Sequence, residues 1–587
     1  MNPPPLAPGW CKSLIRRLSS AQGLWLLLTL TFFIYLPGIS AEPCLVDDVE
    51  MLAAVSASPI PSPGEVFIPG SVGGGYYRPL LHLSFLWDKV LLSLNTRGMH
   101  LENILFHLFN VLLVYLLAAS WYHDRPRARI LAASLFALHP LATESVNWIS
   151  GRTDLLAGGF MLPAALLLER WRKKRTLFLL LGMGTAFIFA CLSKESAVVF
   201  AAGGYYLTLG SRIKEEGDVA VPLPTVCLPV VIAGMILSSL VLLFTANGWL
   251  GGGVALLCGM VACRGRLLAL LSDGVMAKRV GVALLFLVLS IALLVLVRTY
   301  VFATSSSKIA GAVSLLFADT SHTIQLFLGA GAFYVVKFFM PLPLNFAIRD
   351  IDPIFSLLGV ALVTPACCSL LFPSRQSSLM LVGLLMLTPA LLLAFGTIAW
   401  TSYAERYVYL SLPFWCLAMA GYMASLAATR SWVTPAMVAL FGLMAVVTLQ
   451  RTIQWRTNVG LLGDTARKSP QFREIKAKYF LALLQNGELK KARAEYGELA
   501  KLPELFYDEA PDLNMAALLG EEGDYRGALR MYEQVFRRSR SESKAARQGA
   551  LRAIDDLLAR AGEIDRLELL RKRSGYFPVS DPGKRGE

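Results

Sequence analysis

The stretch "LWLLLTLTFFIYLPGI" (residues 24–39) carries no charge, and its reading decides the fold class. A helix rises 1.5 Å per residue, so crossing a hydrocarbon core of ~30 Å takes about 20 apolar residues. Apolar runs of about 17 to 22 residues recur from Leu24 to about Leu449 in a chain of 587 residues that is 55% hydrophobic and only 16% charged. The predicted architecture is therefore all-α, a polytopic bundle of membrane helices. The formal charge of +14 does not point to nucleic acid. Much of the excess sits in short clusters between apolar runs, "RPRAR" (125–129) and "RWRKKR" (170–175), the pattern that marks cytoplasmic loops. The nine cysteines are scattered, with no CxxC pair and no His spacing suited to zinc. Neither a disulfide framework nor a metal cage is predicted.

Lys12, Arg16 and Arg17 before the first apolar run, and Ser40 and Ala41 after it, also fit a cleavable signal peptide. The reading retained here is a cytoplasmic segment 1–21, then a multi-span domain 22–452 with its first outer loop at 40–98. The first span, about 22 to 39, places "CLVDDVEMLAAV" (44–55) on the outer side, where Glu42, Asp47, Asp48 and Glu50 crowd into nine residues with no Lys or Arg among them. A second span from about His100 to Ser120 returns to "RPRAR". A third, about 129 to 140, leads out to "HPLATESVNWISGRTD" (139–154), and a fourth comes back to "RWRKKR". The fifth leads to "CLSKES" (191–196) and the sixth to "SRIKEEGD" (211–218). All six obey one charge rule and collect polar residues on the outer face. Further apolar runs lie at about 222–246, 248–263, 280–302, 322–340, 355–372, 379–397, 406–427 and 433–450. If all eight cross, the tail is cytoplasmic.

After "QRTIQWRTN" (450–458) the hydrophobicity drops, and Gly487, Ala492 and Tyr496 recur 36 residues later as Gly523, Ala528 and Tyr532. Small residues permit close packing of paired helices, and glycine suits the turn between them. That is the logic of tetratricopeptide repeats, at a period slightly above their usual ~34. A repeat domain is predicted at 456–570, capped by "ARKSPQFREI" (466–475) and "RQGALRAIDDLLARA" (547–561), with a flexible tail at 571–587. A generic bundle of helical hairpins is the competing reading.

His100, Asn103, His107 and Asn110 follow one another at spacings of three, four and three, so they line one face of a helix. Polar side chains within a span face protein or water. The stripe reads either as the wall of a cavity or as interhelical hydrogen bonding. Glu144, Arg152 and Asp154 fall in a turn between spans, and Lys194 with Glu195, and Glu405 with Arg406 and Tyr407, repeat the theme of a cation beside an acid. Such acids and cations pair with one another or, at a membrane face, grip a phosphate, for which the planar arginine fork is suited. Moving a sugar from a lipid phosphate to a hydroxyl needs a carboxylate to accept the proton and cations to stabilise the departing phosphate.

Taken in order, "VDDVEMLAAV" (46–55), "YYRPLLHLSF" (76–85), "GMHLENILFHLFNVLLVYLL" (98–117), "LFALHPLATESVNWISGRTDLLAG" (135–158), "LSKES" (192–196) and "YAERYVYLSL" (403–412) closely resemble the transmembrane and tetratricopeptide-repeat O-mannosyltransferases. That family belongs to the GT-C glycosyltransferases that use polyprenyl-phosphate sugars. The resemblance implies an inverting transfer of mannose or a similar hexose from a lipid-linked donor to a protein or glycan hydroxyl, at the extracytoplasmic face. It places the general base on Asp47, with Asp48 as its partner. Arg78 in "YRPL", His100, Asn103 and His107 match blocks that shape the first-loop cavity. His139, Glu144, Arg152 and Asp154 match the "HP…TE…GR.D" block. Lys194, Glu195, Glu405, Arg406 and Tyr407 match blocks assigned to donor phosphate or to holding the outer loops. No cofactor is implied; a divalent metal on Asp47 and Asp48 is chemically reasonable, but the family generally works without one. Two clear repeats are few for this family, which leaves protein acceptors open, and family members hold their repeats outside the cytoplasm, against the span count above. A compact chain suggests a bacterial relative in the inner membrane. The alternative function is a lipid-linked-sugar transporter, or a membrane anchor presenting a repeat scaffold to protein partners.

Overall fold

The computed structural model describes residues 21–62, 64–67, 77–204, 207, 319–371, 374–396, 399–503, 510–538, 554 and 559. The apolar runs at about 222–246, 248–263 and 280–302, the loop 211–218, nearly all of the segment 547–561 and the tail 571–587 lie outside them. The described residues form helices and turns, with a single isolated bridge between Ile348 and Tyr403. The chain is an all-α polytopic protein. It divides into two compact units, Met1–Thr457 and Asn458–Glu587.

Six helices among the described residues are long and apolar enough to cross a membrane: Gln22–Ser40, Thr96–Trp121, Ser321–Phe339, Arg375–Leu393, Leu412–Thr429 and Val433–Gln454. The first includes α1 (Ala21–Tyr35) and the 3-10 turn after it. The predicted first outer loop holds two helices, α2 (Asp48–Ala57) and α3 (Pro79–Leu92). Lys89 on α3 reaches back to the end of α2 and donates to the carbonyls of Val55, Ser56 and Ser58 at 2.8, 3.0 and 2.6 Å. It thereby supplies donors to carbonyls at a helix end that lack intrahelical partners.

Helix α4 (Thr96–Trp121) begins at Asn95, whose side chain accepts from the amides of Arg97 and Gly98. Its 26 residues rise ~39 Å, enough to cross a bilayer with tilt. At the third predicted span, helix α5 (Pro126–Leu138) has 13 residues and rises ~20 Å, less than the ~30 Å of a hydrocarbon core. Proline at its start and Pro140 after it bound the helix, because proline cannot continue the ladder. Nine of its residues are buried, so protein rather than lipid surrounds most of it. Helix α7 (Arg152–Lys174) follows, then α8 (Leu177–Ser193), and the two pack along each other.

After the undescribed middle come α9 (Thr320–Phe339), α10 (Ile354–Leu371), α11 (Arg375–Met386), α12 (Thr388–Leu393), α13 (Leu412–Thr429) and α14 (Val433–Gln454). Helix α13 packs on both α5 and α11. One apolar core, including Val114, Leu117, Phe136, Met161, Tyr334, Phe414 and Trp415, joins the elements of this unit.

The second unit contains α15 (Asn458–Lys468), α16 (Arg473–Gln485), α17 (Leu489–Leu499), α18 (Ala510–Glu521) and α19 (Tyr525–Arg538). Two hairpins, α16–α17 and α18–α19, turn at Gly487 and Gly523, whose φ angles are +75° and +85°. Glu488 N–H donates to Leu483 and Gly487 N–H to Leu484; Asp524 N–H donates to Leu519 and Gly523 N–H to Gly520. Both turns are Schellman motifs, which require a left-handed residue where glycine sits. Ala492 and Ala528 are fully buried, and they share a core with Phe480, Leu483, Ala516 and Tyr532.

Candidate active site

The segment 139–154 is the hub. It runs as a 3-10 turn (Pro140–Ala142), α6 (Thr143–Asn147) and a second 3-10 turn (Ile149–Gly151), buried almost throughout. A buried connection must satisfy its polar groups internally, and here they bind the first loop. Trp148 Nε1 donates to the carbonyl of Val46 at 3.2 Å. Ser150 donates to Asp48 Oδ1 from its amide at 2.9 Å and from its hydroxyl at 2.6 Å. Cys44 N–H donates to Asp48 Oδ2 at 3.0 Å.

The acidic pair is thus split. Asp48 is fully buried, and burial pushes its carboxyl up to about 7, against the pull of the Ser150 and Cys44 hydrogen bonds. Asp47 is exposed and precedes α2 with φ of +67° and ψ of −42°, a sparsely populated positive-φ conformation of the kind that costs ~1–3 kcal/mol. Strain of that kind concentrates where surrounding structure holds a side chain for use.

Each remaining predicted cation meets an acid. Arg78 forms a two-pronged pair with Glu195, Nε to Oε2 and Nη2 to Oε1, both at 2.9 Å. Lys194 Nζ lies 2.5 Å from Asp154 Oδ1, and next to it Thr153 Oγ1 donates to the carbonyl of Ser193 at 2.9 Å. Arg406 bonds Glu144 through Nη1 and, at 3.0 Å, through its backbone amide. Its guanidinium lies over the rings of Trp148, Tyr407 and Trp400, 4.9, 4.8 and 5.7 Å from their centroids. Burial raises the Glu144 carboxyl, with Arg406 opposing. Burial likewise raises Glu405, with Lys337 opposing. Glu405 Oε1 accepts from the Asn345 amide at 2.7 Å and lies 3.4 Å from Lys337 Nζ.

The polar stripe on α4 meets hydrogen-bond partners on neighbouring segments. Asn103 donates to the carbonyls of Val146 and Trp148 at 3.4 and 2.8 Å, and Asn110 to Leu155 O at 2.9 Å and Tyr409 Oη at 3.0 Å. His107 Nδ1 lies 3.0 Å from Tyr409 Oη, its ring packed against Tyr35 and Phe136. His100, also buried, belongs to the same inward face. Asn103, His107 and Asn110 thereby join α4 to the segments around Val146, Leu155 and Tyr409. His139 has a similar part, stacking on Phe338 and sharing a 3.1 Å hydrogen bond with its carbonyl.

Arg152, read from sequence as a phosphate fork, is fully buried and already filled. Nε donates to Asn103 Oδ1 at 2.9 Å, Nη1 to Asp88 Oδ2 at 2.6 Å and Ser84 Oγ at 3.4 Å, and Nη2 to Met99 O at 3.1 Å. Nη2 also lies 3.1 Å from Glu102 Oε2. Five donors meet five acceptors, so Arg152 clasps α3, α4 and α7 together. Sequence reading missed Asp88, Glu102, Ser150, Lys337 and Asn345. For Lys337 a signal existed, a lone charge in the apolar run "GAFYVVKFFM" (331–340), since ionisable residues inside spans are rare and paired. Among the described residues, no group of three His, Cys, Asp or Glu is arranged for a metal ion.

No family model and no solved structure matches the chain. Curated proteins do. Protein O-mannosyl-transferase TMTC3 of Mus musculus is 39% identical over 90 residues, covering 15% of this chain and 10% of that protein. Protein O-mannosyl-transferase TMTC3 of Homo sapiens is 30% identical over 161 residues, 24% of this chain and 17% of its own length. Protein O-mannosyl-transferase TMTC4 of Homo sapiens is 40% identical over 99 residues, 15% of this chain and 13% of its own. The matches thus span less than a fifth of each relative. Over those segments the chain is similar to the transmembrane and tetratricopeptide-repeat protein O-mannosyl-transferases, the family its ordered motifs resemble.

Proposed function

We propose that the chain is a membrane glycosyltransferase that moves mannose or a similar hexose from a polyprenyl-phosphate carrier to an acceptor hydroxyl, on protein Ser or Thr, at the extracytoplasmic face. The observation that carries this reading is the division of labour in the acidic pair. Asp48 is fastened to Ser150 and Cys44, while Asp47 is held exposed in a strained conformation at the head of α2. Asp47 accepts the acceptor's hydroxyl proton as its oxygen attacks the anomeric carbon. The bond from that carbon to the phosphate oxygen breaks, its electron pair stays on the phosphate, and the sugar inverts. The departing charge needs cations, and the arginines and lysines of the neighbouring loops supply them. The similarity to O-mannosyl-transferases supports both the reaction class and a protein acceptor. The repeat unit, with its tetratricopeptide-like turns, is the part suited to holding that acceptor.

The test is transfer of label from a panel of polyprenyl-phosphate sugars, in membranes containing wild type, Asp47→Asn or Asp48→Asn at matched amounts. Incorporation that requires Asp47 supports the reading and names the sugar. Equal incorporation by all three, or none with any donor, removes it.

A further inference from the structure

The cations of the candidate site differ in how open they are. The side chains of Arg152, Lys337, Arg406 and Lys194 are 0, 8, 9 and 13% exposed, whereas Arg78 is 17% exposed and its partner Glu195 20%. Arg78 is therefore the most accessible of the five, yet both prongs of its fork are taken by the two oxygens of Glu195 at 2.9 Å. Carboxylate and phosphate offer the same edge to a guanidinium, two oxygens that accept two parallel N–H groups. The pair also joins distant stretches, Arg78 just before α3 and Glu195 just after α8. The segment bearing Glu195 is anchored independently by Lys194 on Asp154 and by Thr153 on the Ser193 carbonyl. The Glu195 side chain can leave Arg78 without dismantling that segment.

We propose that Glu195 is a resident stand-in for phosphate: the Arg78–Glu195 pair is a latch, and the phosphate of the lipid-linked donor engages Arg78 by displacing the Glu195 carboxylate. The inference rests on the donor reading above and deepens it by naming the group that competes with the donor. A site competent only in the fraction of molecules with the latch open binds more weakly by that fraction. Removing the competing carboxylate raises affinity, whereas removing a carboxylate that orients Arg78 lowers it.

The experiment is equilibrium binding of a polyprenyl phosphate without sugar, and separately of inorganic phosphate, to the detergent-solubilised full chain. Wild type, Glu195→Gln and the double variant Glu195→Gln, Arg78→Gln are compared, with melting to confirm the fold. Glu195→Gln is expected to bind polyprenyl phosphate about fivefold more tightly, the scale of a partly exposed ion pair, and the double variant to lose that gain. Unchanged or weaker binding by a folded Glu195→Gln overturns the latch and leaves the donor reading standing. A gain confined to inorganic phosphate overturns the assignment to the lipid donor. No binding of polyprenyl phosphate by any folded variant overturns both.

Discussion

At the scale of single residues, Asp47 and Asp48 are neighbours with opposite surroundings, and their substitutions separate strain from chemistry. Gly adopts positive φ without steric cost. Asp47→Gly is therefore expected to melt at or above the wild-type temperature, while transfer by Asp47→Gly and Asp47→Asn falls by ~10²–10⁴, the usual worth of a general base. Thermal melting alongside the transfer assay checks this, and an active Asp47→Gly would remove Asp47 from the base's role. Asp48 gives a pH dependence. Burial raises its carboxyl from the usual 3.8 to about 7, so between those limits the folded state binds more protons than the unfolded one. The stability linked to this group is complete below about pH 3.8, is lost as pH rises through about 7, and is level above. Melting temperature against pH for wild type and Asp48→Asn should show a steeper fall between pH 4 and 7 in wild type; parallel curves would contradict it. The sequence displays the pair but not this asymmetry, because Ser150, which fixes Asp48, lies 102 residues away.

At the scale of elements, buried polar groups bind helices that the hydropathy pattern shows only as separate runs. Arg152 carries the clearest case. Its neighbours Asp88 and Glu102 come from α3 and α4, and the guanidinium lies 5.2 Å from the centroid of the Phe85 ring. Removing one member of a buried ionic cluster leaves uncompensated charge, which typically costs ~3–5 kcal/mol. Arg152→Met should destabilise the membrane unit by about that much, and adding Asp88→Leu should recover part of the loss, both read from denaturation in detergent. A single variant as stable as wild type would show that the clasp is dispensable. Sequence reading took Arg152 for a ligand fork because a turn between spans shows an arginine while its acceptors lie in other helices. The repeat-unit turns were legible for the opposite reason. A Schellman motif is local, so glycine at Gly487 and Gly523 marks each hairpin by itself. Alanine at either position must hold a left-handed φ at ~1–2 kcal/mol, and Gly487→Ala and Gly523→Ala should each lower the unfolding free energy of the second unit by that amount, read as a lower denaturation midpoint. Unaltered midpoints would mean the turns tolerate another geometry.

At the scale of the whole molecule, composition and run length give the class, a polytopic helical protein, because the cost of placing polar backbone in hydrocarbon leaves few alternatives. Individual crossings are less legible. Helix α5, at the third predicted span, has 13 residues and is largely buried; an apolar run reads alike whether its neighbours are lipid or protein. Sidedness depends on charges at the ends of runs, and there the sequence makes a definite statement. Basic loops such as "RPRAR" are expected inside, so the two ends of α4 should face opposite sides. The repeat unit is where span count and family resemblance diverge, the count placing it inside and the resemblance outside. Cysteines introduced at Ser58, His123 and Lys491, all exposed, report the three locations to a membrane-impermeant thiol reagent applied to sealed cells. The chain has nine cysteines and Cys191 is half-buried, so the native cysteines are first replaced by serine. Ser58→Cys should label, His123→Cys should label only after permeabilisation, and Lys491→Cys should label with Ser58→Cys. A Ser58 probe silent until permeabilisation would invert the whole scheme and put the acidic pair in the cytoplasm. A silent Lys491 probe beside a labelled Ser58 would place the repeats across the membrane from Asp47, where they cannot present an acceptor to it.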